Sequence, residues 1–129
     1  METAVRAILA ADGTVSGLVS SRIYPMKLPQ GPTMPAITYS RVSGPRVQEL
    51  SGPSGLAFPR VQVDSWASTY AGVKALADAV RKALDGYRDT IASIRIGGVI
   101  MDGEVDIYEP GVEEYRVTQD YIVWHDETP

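Results

Sequence analysis

The stretch YRVTQDYIVWH at 115–125 gathers a Gln-Asp pair, two tyrosines, a tryptophan and the only histidine of the chain. Histidine serves as a base, a metal ligand or a proton switch only when another group orients it. The sequence supplies no second histidine, no cysteine and no Gly-x-Ser-x-Gly elbow, so serine- or cysteine-type nucleophilic catalysis has no partner for His125. His125 is therefore expected at the solvated end of a strand. Ser54, in GPSG, could be drawn as its nucleophile, but the flanking glycines and proline make it a turn residue.

A second arrangement looks like a metal site. In DGEVDIYEPGVE at 102–113, Asp102, Glu104, Asp106 and Glu113 fall where an EF-hand loop carries calcium ligands. The match fails where the geometry is strictest. Ile107 stands where glycine must make the sharp turn, Pro110 sits inside the loop, and the flanks are strand-like rather than helical. No metal or cofactor is expected. Asp64 beside Trp66 could be an acid in an apolar pocket. One carboxylate makes no acid–base mechanism, and such an acid more often faces solvent or pairs with an arginine. An enzymatic or small-molecule-binding α+β domain using Asp64, Trp66 and His125 in one cleft is the alternative from a different class. There is no Gly-rich phosphate loop and no basic aromatic stripe, and a chain with pI near 4.9 is ill suited to wrapping nucleic acid.

The elements that would carry these residues follow from periodicity. Val5, Ile8 and Leu9, then Val15, Leu18 and Val19, have helical spacing and predict short helices over 3–10 and 14–19, broken at Asp12-Gly13, with Thr14 as a cap. PMKLPQGPTMP, with four prolines in eleven residues, must be an extended surface connection. AITYSRV (36–42) and RVQVDSW (60–66) alternate as strands, with Val61 and Val63 on one face and Gln62, Asp64 and Trp66 on the other. From about Ser68 to Asp85 runs the clearest helix. Tyr70, Val73, Leu76, Ala77, Val80 and Leu84 form its apolar stripe, Asp78, Arg81, Lys82 and Asp85 lie opposite, and Gly86 supplies a left-handed stop. TIASIRI, VIM, VDIYE and the long final strand follow, with turns expected at Gly97-Gly98 and Pro110-Gly111 between antiparallel hairpins.

A chain of 129 residues predicts a single domain. No apolar run approaches the roughly 20 residues that span a bilayer, and the N-terminus lacks the basic region of a secretory signal, so a cytoplasmic address is expected. The net charge of −4 conceals an asymmetry. Residues 1–101 carry eleven bases and seven acids, a balance of +4; residues 102–129 carry one base and nine acids, a balance of −8. This reads either as a solvated acidic strand pair and tail, or as two complementary ends that pair head to tail between copies.

Five pieces taken in order, RIYP at 22–25, PAITYSRVSG at 35–44, LAFPRVQVDSW at 56–66, YAGVKALADAVRKALDGY at 70–87 and YRVTQDYIVWH at 115–125, resemble the tail-completion family of long-tailed bacteriophages and gene transfer agents, which includes tail terminators and head-to-tail joining proteins. The resemblance spans almost the whole chain and implies a non-enzymatic structural virion protein. The implied fold is α+β, a mainly antiparallel sheet packed by one long helix, with short N-terminal helices. The implied function is a six-membered ring at the head-proximal end of the tail tube that ends tube polymerisation and joins tail to head. Its partners would be its own copies, the major tail tube protein and the head–tail connector or stopper protein, with DNA passing through the ring, no sequence-specific nucleic acid and no membrane. Its place would be the tail or neck of a particle assembled in a bacterial cytoplasm. Another neck component, such as a head-completion or stopper protein, is the nearest alternative.

The charge split then suggests contacts. Glu104, Asp106, Glu113 and Glu114 are expected to approach Arg41, Arg46, Arg60 or Arg81 of an adjacent copy. The long segment 43–59, rich in Gly, Pro and Ser, is expected to be a flexible loop ordered on a partner, with Arg46 and Glu49 as contact residues.

Overall fold

A computed structural model describes residues 2–30, 33–43, 56–57, 60–91, 94–109 and 114–126. Helix α1 (Glu2–Ala11) and helix α2 (Gly13–Val19) meet at Asp12. Asp12, not Thr14, caps α2: its Oδ1 accepts from the Thr14 and Val15 backbone N–H groups, each at 3.0 Å. Ala4, Val5, Ile8 and Leu9 of α1 and Val15 and Val19 of α2 are buried, while Leu18 lies at the surface.

The strands are β1 (Ile23–Pro25), β2 (Ala36–Ser43), β3 (Leu56–Ala57), β4 (Arg60–Ala67), β5 (Asp89–Ile91), β6 (Ile94–Glu109) and β7 (Glu114–Asp126). Six of them hydrogen-bond in the order β1-β2-β4-β7-β6-β5, and β3 joins the far end of β7. The sheet is mixed rather than wholly antiparallel, because β1 runs parallel to β2. The proline-rich connection 26–35 returns the chain to the end from which β1 started, and a parallel neighbour follows. The expected loop 43–59 is interrupted by β3, which pairs with His125 and Asp126; residues 44–55 and 58–59, with Arg46, Glu49 and Ser54, lie outside the described residues.

Helix α3 (Tyr70–Leu84) covers one face of the sheet, over β4, β6 and β7. Thr69 caps it, with Oγ1 accepting from Gly72 N–H at 3.0 Å, and Gly86 ends it at φ +82°. Val73, Leu76, Ala77, Ala79, Val80 and Leu84 are buried. Tyr70 is not: at the first turn it lies beyond the edge of the core and is 53% exposed. One helix does not close the core alone, since α1 packs against α2, α3 and β2. The largest cluster joins Leu9, Val19, Ile37, Val61, Val63, Leu76, Val80, Ile96, Val99, Tyr121 and Val123.

Gly97-Gly98 is not a turn. β6 runs through it as one strand of 16 residues, with register shifts against β7 between Ile96 and Gly98 and again between Met101 and Gly103. A glycine pair fits an inserted bulge residue as readily as a reversal, and each bulge slips the side-chain alternation by one. Val99 and Met101 thereby face the core, and Glu104 and Asp106 face the helix side further along. The expected hairpin of the last two strands is present, pairing from Glu109↔Glu114 to Ile96↔His125.

Candidate functional site

The final strand is a scaffold. Along β7, Val117, Gln119, Tyr121, Val123 and His125 alternate onto the helix-covered face and are all buried. Gln119 ties three elements together: Nε2 donates to the Ala77 carbonyl of α3 at 3.1 Å and to Glu104 of β6 at 3.2 Å, and Oε1 accepts from the Tyr121 hydroxyl at 2.9 Å. Burial pushes the Tyr121 phenol well above its ordinary range, so it stays a neutral donor. His125 is not at a solvated strand end; it is 8% exposed between Ala57 of β3 and Ile96 of β6. β3 pairs alongside it, where two residues are too few to show a strand period.

Asp64 and Trp66 lie on the opposite face. Asp64 pairs in register with Thr118, one position out of phase with Gln119 and hence with His125. The sheet separates His125 from Asp64, so the cleft of the enzymatic alternative does not form. Gln62 Nε2 donates to both Asp64 oxygens at 3.2 and 3.1 Å, and Arg116 approaches at 3.8 Å. The Arg116 guanidinium stacks 5.1 Å from the Trp66 ring, whose Nε1–H donates to Thr38 Oγ1 at 3.0 Å. The acid with an arginine partner is thus the arrangement found. Among the described residues no group of three or more His, Asp or Glu is placed to hold a metal ion, and Asp102, Glu104 and Asp106 lie along a strand instead of around a loop.

Several of the expected contact residues are already engaged within the chain. Arg60 forms an ion pair with Asp102. Arg81 and Lys82 hold Asp78 at 2.7 and 3.0 Å and keep its carboxyl below the usual range. Asp106 accepts from Lys74 Nζ at 3.3 Å and from the Tyr70 hydroxyl at 3.3 Å, and the Lys74 ammonium is raised by that bond. Arg41 is exposed on β2, and Glu114 is half-buried at the start of β7. Arg46, Glu49 and Glu113 lie outside the described residues.

What periodicity missed is a tyrosine cluster. Tyr115 packs edge-on to Tyr70, with centroids 6.0 Å apart, and against Tyr108 at 5.0 Å. With Val73, Asp106 and Arg116 these rings line an open cleft of about 230 Å³ at the N-terminal end of α3. Tyr108 and Tyr115 face each other across the last hairpin, while Tyr70 is distant in sequence and is brought to them by the packing of α3. β6 exposes Tyr108 (49%) at the cleft and Val105 (57%) on the opposite face of the sheet.

The described residues thus keep His125 and Asp64 on opposite faces of the sheet and leave a tyrosine-lined cleft open at the surface. The chain belongs to the family described as "Tail completion protein gp17", whose model matches residues 3–126. It is a structural protein of the phage-type tail. Among solved structures it is similar to a chain described as "Virion of native gene transfer agent (GTA) particle", at 18% identity and a TM-score of 0.77, over 98% of this chain and 94% of that one. At that identity the likeness is one of fold. No curated protein sequence matches. No helix among the described residues is long and apolar enough to cross a membrane.

Proposed function

We propose that copies of this chain form a ring, six-membered as the family resemblance implies, on the head-proximal end of the tail tube. The ring stops tube growth and gives the head connector a docking surface. The observation that carries this is the family match over residues 3–126, which takes in every element of the fold. The structural neighbour, a chain from a gene transfer agent virion, supports the same setting. A ring of identical subunits needs two different surfaces that fit each other. The basic body and acidic end of the chain offer such a pair, with Arg41 and Arg46 meeting Glu104, Glu113 and Glu114 of a neighbour. The partners are then its own copies, the tail tube protein and the connector or stopper protein, with DNA passing through the ring.

Electron microscopy of particles made without the chain tests this. Tails of uncontrolled length that carry no heads are expected. Tails of normal length beside filled heads that leak would assign the chain to the stopper position instead. Association between copies should also weaken as salt rises, because exposed charge pairs are screened over about 8 Å at physiological ionic strength.

A further inference from the structure

The two edges of the sheet are each covered in part by a three-residue strand. On one side β5 pairs with β6 only at Ile94–Ile96. Next to it, the α3 terminus occupies the outer edge of β6: Gly86 N–H donates to the Val99 carbonyl at 2.7 Å, and Met101 N–H donates to Asp85 Oδ1 at 3.1 Å. Beyond Met101, among the described residues, nothing pairs with the outer edge of β6. An unpaired strand edge is a template for another strand. On the other side the edge strand is β1.

The two edges lie level with each other across the sheet. Ile23, Ile37, Ser65, Val117 and Asp106 form one cross-sheet row; Tyr24, Thr38, Asp64, Thr118 and Val105 form the next; Pro25, Tyr39, Val63, Gln119 and Glu104 form the third. All of β1 therefore stands opposite residues 104–106, inside the bare half of β6. One parallel and three antiparallel steps separate the two strands, so β1 and β6 run in opposite directions. Copies set side by side around an axis along the strands bring β1 of one against residues 104–106 of the next, antiparallel.

Charge and apolar surface fit the same pairing. Residues 13–48, around β1, carry Arg22, Lys27, Arg41 and Arg46 and no acid. Residues 102–114 carry Asp102, Glu104, Asp106, Glu109, Glu113 and Glu114 and no base. Within the chain Arg60 pairs with Asp102 and Lys74 with Asp106. Met26, directly after β1, is 75% exposed, and Val105, within the seat opposite, is 57% exposed. The outer side of β1 has no free donor, since Ile23 N–H donates to the Ser21 carbonyl at 2.8 Å and Pro25 has no N–H, so the pairing runs from N–H groups of β6 to the Ile23 carbonyl and to the Pro25 carbonyl, which also accepts from Lys27 N–H at 2.8 Å.

We propose that the bare half of β6, with the tyrosine cleft beside it, is the seat for the β1 edge of a second copy, so that the sheets of neighbouring subunits run on into one another. This rests on the ring reading above. The chain has no cysteine, so an engineered pair is free of background. Tyr24 and Val105 share a row but lie four strand spacings of about 4.8 Å apart along the sheet, too far for a bond within one chain. The full chain carrying Tyr24→Cys and Val105→Cys is oxidised on purified tail tubes and run on a non-reducing gel, beside each single variant, while the unmodified chain on the same tubes is imaged for rings. Most double-variant chains should run above the dimer, with neither single variant doing so. Rings without such a ladder would overturn the edge pairing and leave the ring reading standing; no ring at all would overturn both. Val105→Lys supplies a second readout. It should keep the wild-type melting temperature and lose ring formation, whereas a folded Val105→Lys chain that still forms rings would overturn the pairing.

Discussion

The two halves of β6 belong to one strand and share one partner, β7, yet they meet different surroundings. From Ile94 to Met101 the outer edge is occupied by β5 and by the end of α3, and Ile96 and Val99 are buried. From Gly103 to Glu109 nothing among the described residues pairs with the outer edge, and Val105 and Tyr108 are exposed among acids. In the proposed ring the first half belongs to folding and the second, with its unpaired backbone groups, to assembly.

Substitutions on the covered side should cost stability, and those on the bare side should cost assembly. The largest loss is expected for Leu76→Ala, which empties a site 1% exposed and should cost about 2–5 kcal/mol in a denaturant titration. Gln119→Ala comes next. It strands the Tyr121 hydroxyl and removes the tie to the Ala77 carbonyl of α3, an expected loss of about 1–3 kcal/mol. Gly86→Ala meets no neighbouring atom but must hold φ +82°, a strain of about 1–2 kcal/mol, visible as a lowered melting temperature. Asp78→Ala, on the exposed face of α3, should leave the melting temperature where it is. A Leu76→Ala midpoint equal to that of Asp78→Ala would show that α3 presents the wrong face to the sheet.

The covered side is also the part that the sequence made legible. The stripe of α3 and the alternation of β4 and β7 are period signals, and burial of Val61, Val63, Leu76 and Tyr121 follows them. β6 resisted such reading because its two bulges reset the alternation and its glycines imitate a turn. Leu56–Ala57 is too short to carry a period, so the cover over His125 could not be foreseen. The Arg60–Asp102 and Lys74–Asp106 pairs join residues far apart in the chain, and only the register of β4, β7 and β6 shows that the acids meet bases at home before they meet a neighbour. The family resemblance carried the function, because no catalytic or ligand pattern exists in the residues to announce it.

In the proposed ring, tail completion works through the outer edge of β6 beyond Met101. Particles made with Val105→Lys in place of the wild-type chain test it most directly, once the purified variant has been shown to melt with the wild type. Overlong tails without heads are expected in electron micrographs. Tails of normal length joined to heads would contradict it.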